Sequence, residues 1–314
     1  MKTTSTQDTT RIDDVRIAAV RPLLTPALLQ EWLPAQDAHL TLVRESRAAV
    51  ARVLAGQDDR LLVIVGPCSI HDHEQAMAYA RLLKAQADAL ADDVLVVMRV
   101  YFEKPRTTVG WKGYINDPHL DGSFAINEGL EKARALLLDV VGLGLPVGTE
   151  FLDLLSPQFI SDLVSWGAIG ARTTESQSHR QLASGLSCPV GFKNGTDGSV
   201  KIAADVQAAC DVLRGAGLRE AVMVDVSHAN SSKQHRKQIE VAQDVAAQVA
   251  GGDARIIGLM IESHLNEGRQ DIVAGQALAR GVSVTDACIG FEQTVPVLGF
   301  MAAAVRTRRA AHRA

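Results

Sequence analysis

The chain has 314 residues, 47% of them apolar and 22% charged, so it can bury a sizeable core as one large domain or two smaller ones. Its 32 basic and 36 acidic residues give a net charge of −4, which argues against a dedicated nucleic-acid binder, a class that normally carries a basic excess. We expect no membrane association, because no apolar run reaches spanning length and the polar N-terminus lacks a signal-peptide core. The widely spaced cysteines indicate free thiols in a reducing, cytoplasmic setting.

The N-terminal 60 residues differ in pattern from the rest of the chain. They begin polar and then show helical periodicity over 40–54, which predicts an extension, 1–60, ahead of a main domain, 61–314. From residue 61 onward, short Val/Ile/Leu-rich runs alternate with amphipathic stretches, a pattern typical of a parallel sheet covered on both faces. The predicted strands are 61–65, 94–100, 145–151, 168–171, 189–192, 221–226 and 255–261.

This number of βα units favours an α/β fold of the closed (β/α) TIM-barrel type over an open sheet. No G-x-G-x-x-G or P-loop motif follows any predicted strand, which counts against a nucleotide-binding sheet. A further run, 282–285, is too short and too rich in Ser and Thr to count as a barrel strand.

Basic residues are grouped after the second predicted strand. Arg99, Lys104 and Arg106 lie within eight positions, where an apolar run opens into a loop containing Pro and Gly. Each cation would cost several kcal/mol to bury unpaired, so the grouping indicates a site for an anionic ligand. A solvated basic loop is the alternative. Together with Arg172 and Lys193, which follow later strands, these cations suffice for two phosphorylated substrates or one doubly anionic one.

Four potential metal ligands also follow apolar runs: Cys68, His228 and Glu262 come after predicted strands, and Asp286 comes after the short run 282–285. In a (β/α) barrel, residues after the strands meet at the carboxyl-terminal face. A thiolate, an imidazole and two carboxylates suit Mn²⁺, Fe²⁺, Co²⁺ or Zn²⁺ better than Mg²⁺ or Ca²⁺. Each residue alone would more often be structural, and the prediction depends on all four occurring together.

Several long motifs resemble one family. From about Asp13 onward, the chain is similar to the type I 3-deoxy-D-arabino-heptulosonate 7-phosphate (DAHP) synthases, also called phospho-2-dehydro-3-deoxyheptonate aldolases. The matching segments are Gly-Pro-Cys-Ser-Ile-His-Asp at 66–72, the run 98–119, the run 167–198 with its core Gly-Ala-Arg-Thr-Thr-Glu-Ser-Gln, and the segments 227–233, 262–265 and 285–290.

The resemblance implies the enzyme that opens the shikimate pathway. Its reaction is a metal-dependent condensation of phosphoenolpyruvate with D-erythrose 4-phosphate, which gives DAHP and phosphate. By resemblance, Cys68, His228, Glu262 and Asp286 match the metal ligands. Arg99, Lys104, Arg172 and Lys193 match the catalytic cradle for phosphoenolpyruvate, and the run Lys104, Pro105, Arg106 and Thr107 matches the segment that holds erythrose 4-phosphate. Glu150, Ala171 and Asp286 complete the substrate-binding set that the resemblance implies.

The N-terminal extension carries a second implication of the resemblance. Its segment around Asp13 and Asp14 matches a family segment that packs on a neighbouring subunit and helps to form an inhibitor site for an aromatic amino acid. We therefore expect a homo-oligomer, a dimer or a tetramer, with Pro157 and Ser187 near that site. A loosely ordered tail is the alternative.

One part of the family pattern is missing. Between 198 and 222 the family has an additional unit with a sixth barrel strand and a Leu-Arg-Gly-Gly motif, whereas here one helical stretch, 199–213, leads directly into the strand at 222–226. Seven barrel strands remain, and the lost arginine belongs to the phosphoenolpyruvate cradle. Arg214, in a Leu-Arg-Gly sequence, is either a remnant of that motif or, as its neighbours favour, a cation at a helix C-terminus.

The missing unit leaves alternative functions open. A catalytically impaired or regulatory relative would retain the metal site without completing the reaction. A Schiff-base aldolase with Lys193 as its nucleophile is a third hypothesis, although it leaves the four potential metal ligands unexplained.

Overall fold

A computed structural model describes residues 12–17, 19–106, 110–194, 202–273 and 275–313 of the chain. Helices and strands alternate from the start of β1, and two helices precede it. The helices are α1 Pro26–Trp32, α2 Asp37–Ala55, α3 His73–Ala89, α4 Ile126–Gly142, α5 Pro157–Ile160, α6 Gln177–Gly185, α7 Ile202–Gly215, α8 Lys237–Ala250 and α9 Phe291–Arg313, with a short 3₁₀ helix at Ser161–Leu163. Among these helices, none is long and apolar enough to cross a membrane.

The strands form one parallel sheet with the helical cover expected of a (β/α) barrel. They are β1 Leu61–Gly66, β2 Val94–Arg99, β3 Val147–Glu150, β4 Trp166–Ile169, β5 Val190–Phe192, β6 Val222–Asp225, β7 Ile256–His264 and β8 Ile289–Gly290. Their order is β5-β4-β3-β2-β1-β7-β6, with β8 paired to the end of β7. The predicted (β/α) barrel class is therefore confirmed, although hydrogen bonds among the described strands do not close the barrel.

The sheet is open between β5 and β6. In the described part of the chain, no ladder of hydrogen bonds joins these two strands, although every other neighbouring pair in the order is bonded. The opening lies where the sequence lacks one βα unit, because α7 follows β5 and leads directly into β6. Parallel strands pair about 4.8 Å apart, so two strands that keep the place of a missing strand between them are beyond the reach of backbone hydrogen bonds.

The strands at the opening are short. We expected seven long barrel strands, but β3 to β6 contain only three or four residues each, and only β1, β2 and β7 are longer. The run 282–285 forms no strand, as predicted, and the short β8 lies beyond it at Ile289–Gly290.

Apolar side chains fill both faces of the sheet. On β1, Leu62 and Ile64 point into the barrel, where they pack in a cluster with Trp166, while Leu61 and Val63 pack outward against the helices. This alternation follows from the two-residue period of a strand. Val50 and Val53 of α2 join the inner cluster. Since α2 leads through Gly56 into β1, it covers the amino-terminal end of the barrel interior.

The helix starts are specified locally. Asp72 precedes α3, and its carboxylate accepts a hydrogen bond of 2.8 Å from the amide of Gln75, which satisfies one of the free donors at the helix start. The acidic and histidine-rich sequence from His71 to Glu74 is therefore a helix N-terminus. At the other end of a helix, Gly56 stops α2 in a left-handed conformation with φ of 70°.

Candidate active site

The carboxyl ends of β1, β2 and β7 meet at one face of the barrel. The strand register pairs Gly66 of β1 with Glu262 of β7, so the loop after β1 starts beside that carboxylate. Gly66 also lies against β2, where a Cβ atom would approach the backbone oxygen of Arg99 to 2.5 Å. A glycine is required here because a side chain would separate the two strands at the point where the site is built.

Arg99 ends β2 and is almost fully buried. Its guanidinium donates to a carboxylate oxygen of Glu262 at 2.9 Å and to the backbone oxygens of Pro67 and Cys68. It also stacks over the ring of Tyr101, 3.5 Å from the ring centroid. The loop after β1 and the end of β7 therefore share one buried cation.

Lys104 lies in the loop after β2 and is also buried. Its ammonium donates to the backbone oxygen of Cys68 at 2.7 Å and lies 2.9 Å from the sulfur of the same residue. The charge grouping after β2 is thus not a solvated basic loop, since two of its cations are buried against Cys68 and Glu262. Arg106 is half-buried beyond them.

Three of the predicted metal ligands lie together. The sulfur of Cys68 and carboxylate oxygens of Glu262 and Asp286 all lie within 4.8 Å of one another. The fourth, His228, places its Nε2 3.6 Å from Glu262 Oε1. Two ligands of one ion at 2.0–2.3 Å can be separated by up to about 4.6 Å, so the donor set fits a small divalent cation after slight contraction.

The electrostatics around this cluster suit a bound cation. Burial and the carboxylate of Glu262 raise the pKa of the Cys68 thiol, although Lys104 opposes them. Burial also raises the pKa of the Asp286 carboxyl, but Lys104 and His228 outweigh it and the net pKa is lowered. A divalent cation would favour the thiolate form of Cys68, because it supplies positive charge where burial otherwise disfavours an anion.

His228 follows β6 in a loop with unusual backbone geometry. Its φ of 55° lies in the left-handed region, which costs a non-glycine residue on the order of 1 kcal/mol or more. The loop is held by a hydrogen bond from the amide of Lys233 to the His228 backbone oxygen at 2.8 Å and by one from the Asn230 side chain to the Asp225 backbone oxygen at 2.7 Å. These contacts hold the backbone of the loop that carries the imidazole.

Asp225, the last residue of β6, is a part of the site to which no role was assigned from the sequence. Its carboxylate accepts from Lys193 and hydrogen-bonds the Nδ1 of His228, both at 2.9 Å. Burial raises its pKa, but Lys193 and His228 together bring it well below the usual value, so the carboxylate is ionised. Its position at a strand end, three residues before His228, was the available sequence signal.

The other predicted substrate residues are more dispersed. Glu150 ends β3 and its carboxylate reaches over Gly170, where a Cβ atom would approach it to 2.1 Å. Arg172 is exposed in the turn after β4, and no described contact joins it to Arg99, Lys104 or Lys193. Ala171 beside it and Pro105 are half-buried, whereas Thr107 lies outside the described residues.

Arg214 does not take the place of the missing arginine of the family motif. It is more than half exposed at the end of α7 and pairs with Asp211 and Glu220, at 2.8 and 2.7 Å. The prediction that it is a cation at a helix C-terminus is confirmed, and the interpretation of Arg214 as a working remnant of the lost motif is wrong. Val206 and Cys210 of the same helix pack in the outer core cluster, and the guanidinium of Arg214 is engaged by Asp211 and Glu220.

Two of the four predicted effector-site residues share a cleft away from the barrel mouth. Pro157 and Ser187 line it together with Arg47, Gln158 and Leu186, and the cavity measures about 550 Å³. The other two, Asp13 and Asp14, lie exposed in the N-terminal segment and do not line this cleft in the single chain.

Comparison with known proteins places the chain in a family. A sequence model described as the DAHP synthetase I family matches residues 40–209 and 198–298. The chain belongs to the DAHP synthetase I family. The two matched segments overlap at 198–209, where the sequence lacks one βα unit. The match to the family is therefore interrupted at the place where the described strands leave the barrel open.

Relatives in this family cover nearly the whole chain. The Phe-sensitive phospho-2-dehydro-3-deoxyheptonate aldolase of Escherichia coli (strain K12) is 51% identical over 95% of this chain and 98% of its own length. The tyrosine-inhibited aldolase of Schizosaccharomyces pombe is 47% identical over 97% and 96%, and the Trp-sensitive aldolase of Escherichia coli (strain K12) is 46% identical over 95% and 99%. The alignment with the Phe-sensitive aldolase spans 344 positions, whereas this chain has 314 residues. This DAHP synthetase family member therefore lacks residues that the Phe-sensitive aldolase contains.

A solved structure agrees with this assignment. The phospho-2-dehydro-3-deoxyheptonate aldolase from Francisella tularensis SCHU S4 superposes with a TM-score of 0.87 at 42% identity, covering 93% of this chain and 99% of that one. The fold is therefore that of the family, even though the described strands of this family member leave the barrel open between β5 and β6.

Proposed function

We propose that this chain catalyses the metal-dependent condensation of phosphoenolpyruvate with D-erythrose 4-phosphate, which gives DAHP and inorganic phosphate. The observation that carries the proposal is the contact between Lys104 and Cys68, because it brings the cationic cradle against the metal-ligand cluster. Membership of the DAHP synthetase I family and the names of its relatives support the same reaction.

The chain's own residues would first bind and orient the two anions. Lys104 and Lys193 at the mouth offer positive charge to the phosphate and carboxylate of phosphoenolpyruvate, while the buried Arg99 holds Glu262 and the Cys68 loop in place. Arg106 and its neighbours in the loop after β2 would hold the phosphate of erythrose 4-phosphate. Fixing both substrates converts an encounter of two molecules into a near-attack arrangement.

The bond changes follow from this arrangement. A divalent cation held by Cys68, His228, Glu262 and Asp286 would supply a Lewis acid at the aldehyde oxygen. The electrons of the phosphoenolpyruvate carbon–carbon double bond form the new bond from its methylene carbon to the aldehyde carbon. The aldehyde double bond opens, and its oxygen takes up the proton that the added water gives up. Water then adds at the carbon that bears the phosphate, and inorganic phosphate leaves. Manganese, iron, cobalt and zinc are all compatible with a donor set that includes a thiolate.

A catalytically impaired relative is the second proposal, and the open barrel supports it. Between β5 and β6 the described chain carries no strand to supply another cation, and Arg214 points elsewhere. Water entry at this side would weaken the remaining charge contacts of the substrate. A Schiff-base mechanism is less well supported, since Lys193 is paired with Asp225, and although burial lowers its pKa, that carboxylate brings the net value above normal.

Assembly and regulation form a further part of the proposal. The N-terminal segment exposes a series of apolar side chains, among them Ile12 at 95% and Val20 at 79% exposure, which would be costly to leave in water. We infer that this segment packs on another subunit of a homo-oligomer. The cleft at Pro157 and Ser187 would take an aromatic amino acid, and the relatives are named for phenylalanine, tyrosine and tryptophan alike.

Phosphate release tests the proposed reaction directly. Purified protein with both substrates and added Mn²⁺ should release phosphate, and omission of erythrose 4-phosphate should abolish the release. Full activity comparable with that of the relatives would remove the impaired-relative proposal. Absence of any release, together with intact Mn²⁺ binding, would favour it. Trapping of a substrate adduct with borohydride would instead support a Schiff base on Lys193.

A further inference from the structure

A single ion pair joins the two strands that flank the opening in the described part of the barrel. Lys193 directly follows β5, and Asp225 is the last residue of β6. Although these strands share no ladder of hydrogen bonds in the described chain, the ammonium of Lys193 lies 2.9 Å from Asp225 Oδ2. Both side chains are only about one quarter exposed, so the pair is better shielded from water than a surface salt bridge.

The same carboxylate oxygen also holds a proposed metal ligand. His228 Nδ1 lies 2.9 Å from Asp225 Oδ2, while the other oxygen, Oδ1, accepts from the amide and hydroxyl of Ser227. With Nδ1 engaged in this way, the imidazole directs Nε2 toward Glu262, 3.6 Å away. Metal-binding histidines commonly have such a carboxylate behind them, since it fixes the tautomer and the orientation of the ring.

These contacts link the opening to the metal cluster. We propose that Asp225 is a positioning residue with two roles: it orients His228 for the metal ion, and through Lys193 it fastens β5 to β6 where the sheet has no strand. The inference rests on the proposed metal site for its first role, whereas the second role depends only on the fold. In a closed barrel, backbone hydrogen bonds would hold neighbouring strands; here a side-chain pair substitutes for them at the mouth.

Cobalt binding tests the first role without any need for turnover. Titration of the metal-free protein with Co²⁺, followed by the absorption of the cobalt–thiolate bond, should give an affinity about 10- to 100-fold lower for Asp225→Ala. Asp225→Asn should lose less, because the amide oxygen can still accept from Nδ1. Asp253→Ala is the matched control: that carboxylate also pairs with a basic residue, Arg255, but lies away from the metal cluster, and its removal should leave cobalt affinity unchanged within about twofold.

Urea unfolding of the metal-free protein tests the second role. Lys193→Met and Asp225→Asn should each lower the unfolding midpoint, and the double variant should fall little further than the more damaging single variant. Lys193→Met combined with Asp253→Ala should instead show additive shifts. Hydrogen exchange of the peptides that contain β5 and β6 should accelerate in Lys193→Met, while exchange in β1 and β2 stays unchanged.

The outcomes separate this inference from the proposed function. If the unmodified chain bound no Co²⁺, the proposed metal site would fail and the first role with it. If the chain bound Co²⁺ but Asp225→Ala kept full affinity, only the positioning role would be refuted. Fully additive shifts for Lys193 and Asp225 would overturn the second role whatever the metal result.

Discussion

Lys104 Nζ lies 2.9 Å from the sulfur of Cys68, so a residue of the proposed substrate cradle touches a residue of the proposed metal set. The two sets are thus parts of one site, even though these residues are separated by 36 positions in the chain. Burial strengthens the interaction between the ammonium and the sulfur, because little water is present to screen it.

We expect Cys68→Ala to abolish the cobalt–thiolate absorption band, because it removes the sulfur from the donor cluster formed by the described residues. The measurement is a Co²⁺ titration followed by absorption spectroscopy. Cys288→Ala is the control: this thiol is also buried, and it accepts from the amide of Cys68 at 3.4 Å, but it is not part of the cluster. If Cys288→Ala lost the band and Cys68→Ala kept it, the metal ligand would be Cys288 and the assignment of Cys68 would be wrong.

Arg99→Met should destabilise the protein strongly. The substitution keeps much of the side-chain volume but leaves Glu262 buried without its partner, which typically costs about 3–5 kcal/mol in the free energy of unfolding. Urea unfolding at neutral pH measures the loss. Arg214→Met, at an exposed ion pair, should cost at most about 1 kcal/mol. Equal losses in the two variants would contradict the buried pairing of Arg99.

Glu103 should make stability depend on pH. Its carboxyl is buried against the hydroxyl of Ser156 at 2.9 Å, and burial raises its pKa to about 7, although that hydroxyl opposes the shift. The folded state therefore prefers the protonated form. The resulting contribution to the free energy of unfolding is fully present below about pH 4.5, the pKa of this carboxyl in the unfolded chain. It is lost as the pH rises through about 7, the pKa in the folded state.

Glu103→Gln should remove this dependence, because an amide stays neutral. At pH 8 the variant should be more stable than the unmodified protein by up to about 3 kcal/mol, with a smaller difference at pH 5. Urea unfolding across that range provides the measurement, and Glu131→Gln, on an exposed position of α4, is the control. A difference that grows toward low pH would show that the sign of the pKa shift is wrong.

The exposed apolar residues of the N-terminal segment should hold subunits together. Val20→Asp, which places a charge at a side chain that is 79% exposed in the single chain, should lower the mass found by sedimentation without lowering the unfolding midpoint of the dissociated chain. Val212→Asp is the matched control, since Val212 is 74% exposed on α7, outside the segment. An unmodified chain that already sediments as a monomer would rule out the proposed assembly.

The effector cleft makes a separate prediction. Ser187→Trp should fill part of the cavity beside Pro157 and reduce binding of an aromatic amino acid at least about tenfold, because the new ring occupies space that the ligand needs. Calorimetric titration with phenylalanine, tyrosine and tryptophan in turn identifies the ligand. Phosphoenolpyruvate binding should be unaffected. If the unmodified chain binds none of the three, the assignment of this cleft is wrong.

Much of the fold could be predicted from local sequence. The Val/Ile/Leu runs identified the seven strands of the main sheet, since strands buried on both faces must be apolar throughout. The acidic start of α3 and the glycine at the end of α2 specified helix boundaries. The missing unit was also visible, because one helical stretch, now α7, ran from one strand into the next without an intervening strand.

The site could be predicted only in part. Residues of recognisable type after a strand, such as Cys68 after β1 and His228 after β6, were identified because parallel strands bring their carboxyl ends to one face. Asp225 also lies at a strand end, but no role could be assigned to it, because only the tertiary structure brings its carboxylate against Lys193 and His228. Arg172 was assigned to the cradle by its motif, but in the single chain it is exposed and lies apart from the other cations.

The sequence by itself determined the family, the order of the elements and the chemical types available at the barrel mouth. Only the tertiary structure decided that the described strands leave the barrel open between β5 and β6, and that Lys193 and Asp225 meet across the opening. The physical reason is that hydrophobic periodicity is local, whereas strand closure and the pairing of buried charges depend on distances between segments far apart in the chain.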